Sequence, residues 1–294
     1  MTILRYGLIC VVLVLTACGQ RELEPDEPIN NDNSERWNKA QDPFRIHGNT
    51  WYVGTAGLSS ILVETDDGLI LIDGGLPQSA PLIDTNIRNL GFDTLDVKAI
   101  LVSHAHYDHV GGIAALQRYT DATVFASQLA LEPLMNGRLT VDDPQYVADS
   151  DQGDFPAVRQ VAAVGDGEVV TVGSVDVKAV YTPGHTPGST TWTWQSCALN
   201  VCYDVVYADS MTAVSAEGFK FTESGVADKL VASAGIIADL ECDILLSPHP
   251  FFFGMADKLE RLDQGNPFVN NVGCLLYAES SLQWLEQRLE AERL

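Results

Sequence analysis

The sequence predicts an α/β fold in a single domain, on three observations. Short β-rich runs broken by Gly and Asp turns fill the first third of the chain. A continuous apolar run at 99–102, as in a strand buried on both faces, passes through a polar loop into a helical stretch. Strand-like runs return after residue 168, and the chain closes on a helix.

In order, residues 51–53, 60–64 and 69–72 read as strands, and Asp66-Asp67-Gly68 supplies one of the turns between them. Residues 81–90 have helical character, 99–102 is the buried strand, and 111–119 is the helix after it. Residues 129–157 are loop-rich. Strands resume at 168–172, 175–181, 190–194 and 204–207, with another buried one at 243–247. In the last helix Leu275, Ala278, Leu282, Leu285 and Leu289 repeat at spacings of three and four, which predicts one apolar face. No repeat and no second linker divides the chain.

Hydrophobic content of 46% and charged content of 19% suit a globular core. A net charge of −23 would repel phosphate backbones and argues against nucleic acid as a partner. At the N-terminus Arg5 precedes an apolar run, 6–15, that is too short to span a bilayer as a helix. Leu15-Thr16-Ala17-Cys18 then resembles a bacterial lipobox. This implies a signal peptide over 1–17 and a lipid on Cys18. Gly19 at the next position favours the outer membrane, facing the periplasm. An ordinary secretory signal cut nearby is the alternative. Residues 18–43, rich in Glu, Asp, Asn and Pro, are expected to be a flexible tether, with the domain spanning 44–294. Apart from Cys10 and Cys18, four cysteines remain, an even number that suits an oxidising compartment. Cys197 and Cys202 flank a hairpin turn and are expected to pair, leaving Cys242 for Cys274.

Five of the six histidines fall in three places. Ser103-His104-Ala105-His106-Tyr107-Asp108-His109 carries three, Pro183-Gly184-His185 one, and Ser247-Pro248-His249-Pro250 one. His47 is left over as a surface residue. Imidazole and carboxylate both suit zinc. His104 and His106 alternate and so project the same way from an extended segment, while Asp108 and His109 follow in a turn. One loop thus supplies half-sets for two metals, to be completed by His185 and His249. Six ligands in two sets of three leave each ion an open position, as in a catalytic site.

His-x-His-x-Asp-His after a buried strand, then Gly-His, then a late His, resembles the metallo-β-lactamase superfamily over roughly residues 44–294. The resemblance implies an αββα sandwich with two Zn2+ ions at one edge, and a supporting role behind the metal loop for Asp73 of Ile72-Asp73-Gly74-Gly75. Finer marks resemble subclass B3: Tyr52-Val53-Gly54-Thr55-Ala56-Gly57, Pro183-Gly184-His185-Thr186-Pro187-Gly188, Tyr207-Ala208-Asp209-Ser210, Ser247-Pro248-His249-Pro250, and the pair Cys242 and Cys274. That subclass implies His104, His106 and His185 for the first zinc, and Asp108, His109 and His249 for the second. It further implies that Ser210 and Thr212 help hold the substrate carboxylate, that Asp108 orients the attacking hydroxide, and that Asp209 supports the site from behind.

The activity so implied is hydrolysis of the β-lactam amide by a hydroxide shared between two zincs, conferring resistance to β-lactam antibiotics in the periplasm. No G-x-S-x-G nucleophile elbow competes with it. The chain is expected to be a monomer whose partner is the small-molecule substrate, touching membrane only through its lipid. Two other readings remain. One is a hydrolase of lactones or thioesters, in which Asp209 would bridge the metals. The other is a metal-binding lipoprotein without activity.

Overall fold

Alternation along short strands decides which face of a sheet each residue lines. Leu62, Leu71 and Ile100 point to one side, while Ile61, Val63, Ile70, Ile72, Ala99 and Leu101 point to the other. Each fully buried Leu, Ile or Val among them contributes roughly 1.5–3 kcal/mol relative to exposure. The structure, a computed structural model, describes residues 22–294. The signal-peptide reading, Cys10 and Cys18 therefore lie outside the described residues.

The first sheet runs in the order β1 (Phe44–His47), β2 (Thr50–Tyr52), β3 (Ile61–Thr65), β4 (Gly68–Ile72), β5 (Val97–Leu101), β6 (Thr123–Ser127) and β7 (Val161–Val164). Strands β1 to β4 form an antiparallel meander, and β4 to β7 are parallel. Parallel neighbours need crossovers. These carry α2 (Ala80–Asn89) between β4 and β5, α4 (Ile113–Thr120) between β5 and β6, and α5 (Leu131–Asn136) between β6 and β7. The second sheet comprises β8 (Val169–Val172), β9 (Val175–Tyr181), β10 (Thr190–Ala198), β11 (Val201–Tyr207) and β12 (Ile244–Leu246). Its order is β12-β11-β10-β9-β8, and only β11 and β12 are parallel. The connection between those two carries α6 (Phe221–Ser224) and α7 (Val226–Ala238).

One core lies between the sheets and continues onto α7 and the last helix, α9 (Gly273–Ala291). A second lies under α2 and α4 on the outer face of the first sheet. The layers are therefore αββα. Three short helices complete the chain: α1 (Ser34–Trp37), α3 (Tyr107–Val110) and α8 (Met255–Leu259).

Two expectations need correction. Residues 29–43 are not a loose tether. Gln78 exchanges hydrogen bonds with both backbone groups of Ile29, Asn31 reaches Tyr107 Oη, and Ser79 Oγ reaches Asn38. Polar side chains that suggested solvent instead supply the contacts that hold the segment down. The buried face of α9 is also rotated from the predicted stripe. It carries Cys274, Tyr277, Ala278, Ser281 and Leu285, while Leu275 and Leu282 are 44% and 37% exposed. The Cys242–Cys274 disulfide lies on this buried face. Strands β6 and β7 and helix α7 escaped the sequence reading. The two strands are short, and α7 is apolar on more than one face, so neither left a clear periodic signal.

Both disulfides have the expected pairing, Cys197–Cys202 across β10 and β11 and Cys242–Cys274. The second closes the larger loop, with a sequence separation of 32. Replacing Cys242 and Cys274 by Ser is expected to cost about 2–5 kcal/mol in a denaturant titration. A loss under about 0.5 kcal/mol would contradict that role.

Candidate metal centre

Every candidate side chain emerges at one end of the sandwich, beyond the ends of strands β4, β5, β9, β11 and β12. Asp73 follows β4 in a left-handed conformation (φ 58°). Its Oδ1 accepts from Ser103 N (2.8 Å), and its Oδ2 accepts from Ser103 Oγ (2.6 Å) and Tyr207 Oη (2.8 Å). Full burial raises its pKa, and these donors together with His109 oppose the rise. The loop after β5 is thereby held at the residue before His104. Gly112 closes the loop against the β4 end, where a Cβ would sit 2.3 Å from Gly74 O. No other residue type fits there.

The structure brings His104, His106 and His185 into one group, and Asp108, His109 and His249 into a second, each with its donor atoms within 4.8 Å of one another. The two groups adjoin, with the His104 and His109 rings 4.4 Å apart. In four of the five histidines, a protein acceptor holds the nitrogen that faces outward. His104 Nδ1 lies 2.7 Å from Asp209 Oδ1, and His106 Nε2 lies 3.1 Å from Asp143 Oδ2. His185 Nδ1 lies 3.0 Å from Thr212 O, and His249 Nδ1 lies 3.2 Å from Gly57 O. Each contact places the ring proton outward and leaves a lone pair facing the group. Gln145 Nε2, 3.3 Å from His106 Nδ1, marks that nitrogen as an acceptor. His104 Nε2 is buried and has no hydrogen-bond partner. A buried bare acceptor is costly unless something binds it. The donor set therefore fits a divalent metal ion in each group.

Electrostatics keep most of these rings neutral. Burial and the neighbouring histidines hold His104 well below its ordinary pKa and take His185 to about 3 and His249 to about 4. Asp108 stays ionised. Burial opposes its charge, but His109 and His249 outweigh that, with Oδ2 lying 3.3 and 3.5 Å from their Nε2 atoms. For His109 burial likewise favours the neutral ring, but the facing Asp108 raises its pKa.

Asp209 stands behind His104 on the outward nitrogen, and belongs to neither group of donors. Burial pushes its pKa up to about 7. Ser210 Oγ is buried without a partner, and Thr212 Oγ1 lies 3.0 Å from His185 Nδ1. His47 sits apart, edge-on to Tyr203.

Several site residues were missed in the sequence. Asp143 and Gln145 lie in the loop-rich stretch, where one Asp in an acidic chain carries no signal. Trp37, whose ring lies 5.4 Å from that of His249, falls within the stretch that composition marks as a tether. A lone Trp amid polar residues was the clue. Beside His106 is a cavity of about 390 Å3 walled by Ile29, Asn31, Tyr107, Gln145 and Gln152.

The sequence model of the metallo-beta-lactamase superfamily matches residues 54–249. The chain belongs to the metallo-β-lactamase superfamily. Among solved metallo-β-lactamases it is similar to Rm3, at 43% identity and TM-score 0.87, over 90% of this chain and 100% of that one. It is also similar to MEM-A1, described as a subclass B3 metallo-beta-lactamase from a soil metagenome library. That match has 41% identity and TM-score 0.84, over 87% of this chain and 98% of the other. A more distant relative in sequence is an N-acyl homoserine lactonase of Bacillus thuringiensis, 27% identical over 43% of this chain. The chain spans about half of that lactonase's length, 54%.

Two outcomes are expected of this metallo-β-lactamase fold. Asp143→Ala removes the acceptor behind His106 and should weaken metal affinity by about 10–100-fold in competition with a chromophoric chelator. Unchanged affinity would show Asp143 to be idle. The second concerns His249 in the metal-free protein. Its folded pKa of about 4 lies below the ordinary 6.5, so on acidification the unfolded chain takes up a proton that the folded one refuses. The neutral ring's contribution is complete above 6.5 and is lost as the pH falls toward about 4. Asp209, raised to about 7, acts in the opposite sense, so the comparison must be between variants. Metal-free His249→Ala should gain Tm relative to the parent between about pH 7 and about pH 5. A pH-independent difference would overturn the assignment.

Proposed function

We propose that the protein is a di-zinc β-lactamase of the subclass B3 type, cleaving the lactam amide of penicillins, cephalosporins or carbapenems. The observation that carries the reading is the paired donor groups, with Asp209 behind His104 and not between the groups. The Asp209 carboxylate meets the outward nitrogen of His104 through Oδ1 and lies in neither donor group, which is not the place of the bridging ligand that the lactone or thioester reading calls for. The similarity to solved B3 enzymes at 41% identity and above over most of the chain supports the same substrate class.

His104, His106 and His185 would hold the first ion, and Asp108, His109 and His249 the second. When bound, zinc supplies a water ionised near neutral pH and a Lewis acid for the carbonyl oxygen. The chain's own residues do the rest. Asp108, an ionised carboxylate, would accept a hydrogen bond from the attacking water and orient it toward the carbonyl carbon. The C–N bond breaks, the carbon keeps the water oxygen as a carboxylate, and the nitrogen leaves with a proton. Ser210 Oγ, without a partner inside the protein, is free to donate to the substrate carboxylate. Thr212 Oγ1 can accept from His185 Nδ1–H and turn its own proton toward the same carboxylate. The cavity beside His106 has room for the substrate's side chain.

The lipobox-like run before Cys18 supports a periplasmic, lipid-anchored protein, and the two disulfides suit that oxidising compartment. The zinc-loaded protein is expected to hydrolyse a chromogenic cephalosporin and a carbapenem. A chelator should abolish the activity and added zinc restore it, and His104→Ala should lower kcat by at least about a hundredfold. Two zincs bound with no hydrolysis of either drug would send the reading to lactones.

A further inference from the structure

The segment after β11 carries two of the functional positions in succession, Asp209 and Ser210, and one side chain from the far layer grips it. Tyr277 of α9 is buried, 4% exposed. Its hydroxyl donates to Asp209 O at 2.8 Å and accepts from Met211 N at 3.1 Å. Those atoms belong to the two peptide groups on either side of Ser210. A single phenol oxygen thus fixes both peptide planes that orient the Asp209 and Ser210 side chains. Burial raises the pKa of Tyr277, so the hydroxyl keeps its proton and makes both bonds at any working pH.

The grip is itself anchored. Cys274 stands three residues earlier on the same face of α9 and is bonded to Cys242. Phe252 packs against the Tyr277 ring at 5.6 Å and against the His249 ring at 5.8 Å. Asp209 N donates to Thr191 Oγ1 at 3.1 Å, which holds the bend from the opposite side. The Asp209 carboxylate then meets His104 Nδ1 at 2.7 Å. A shift of a few tenths of an ångström in the bend would lengthen that bond and rotate the ring.

We propose that Tyr277 is a positioning residue for the first donor group: by holding both peptide groups that flank Ser210, it sets the Asp209 carboxylate against His104. The proposal rests on reading His104, His106 and His185 as metal ligands and is independent of which substrate is cleaved. Nothing in the loop motifs points to it, because Tyr277 is 68 residues from Asp209 in sequence.

The test uses the full-length protein loaded with cobalt(II), whose visible absorption reports ligand geometry. Four variants are compared with the parent: Tyr277→Phe, Asp209→Ala, the double variant, and Leu285→Val as a packing control on α9. Tyr277→Phe should shift the cobalt bands and weaken the affinity of one ion by about tenfold in chelator competition. The double variant should be no weaker than Asp209→Ala alone, because the two act in series. Leu285→Val should keep the parent spectrum. A parent-like spectrum and affinity for Tyr277→Phe would overturn the proposal. So would losses that multiply in the double variant, or the same shift in Leu285→Val. If Tyr277→Phe does not fold, site-specific 3,5-difluorotyrosine at 277 keeps the ring and weakens the oxygen as an acceptor, and an unshifted spectrum would be equally fatal. Failure of the parent to bind cobalt sinks the metal reading and this proposal with it. Ordered cobalt responses without β-lactam turnover sink only the substrate.

Discussion

The buried carboxylate of Asp73 is the contact on which the site end of the sandwich depends. It sits beyond β4 in the first sheet, takes two hydrogen bonds from Ser103 beyond β5, and takes a third from Tyr207 at the end of β11 in the second sheet. An unpaired carboxylate in that position would cost several kcal/mol, so the three donors are what make it tolerable. In return it joins the two sheets at the edge where the histidines emerge. It also fixes the backbone just before His104. The glycines of the metal loop serve the same closure, since Gly112 lies against Gly74 with no space for a side chain.

A second constraint follows from the chemistry of imidazole. A ring can offer a lone pair only if its other nitrogen carries the proton, and a buried N–H needs an acceptor. For four of the five rings the protein meets this with four different acceptors drawn from four separate segments: Asp209, Asp143, the Thr212 carbonyl and the Gly57 carbonyl; His109 Nδ1 is buried without one. His106 is turned relative to the others and presents Nδ1 inward, because its acceptor, Asp143, lies on the Nε2 side. The site is therefore held less by the ligand loop than by the segments that surround it. The N-terminal stretch belongs among these, since Trp37 covers one face of His249.

Much of this was legible in the sequence because it is local. The spacing of His104, His106, Asp108 and His109 within one loop, the two later histidines beside Gly and Pro, and the cysteine count are contiguous patterns whose chemistry does not depend on the rest of the chain. The strands with strong β-branched runs were readable for the same reason. The N-terminal stretch and the final helix were misread because composition and periodicity describe a segment's own preference and not its neighbours. A polar stretch packs down when Gln78, Ser79 and Tyr107 offer it partners. A helix with two usable faces buries the one that carries the disulfide.

By itself the sequence determined the donor types, their number and the fold class, because short-range spacing and hydrophobic alternation encode them directly. Only the tertiary structure decided which nitrogen of each histidine faces inward, that Asp209 stands behind His104, and that Asp143, Trp37 and Tyr277 attend the site. Those facts depend on contacts between residues far apart in sequence. Chain folding brings such residues within about 3 Å of one another only once both sheets and their flanking layers have closed.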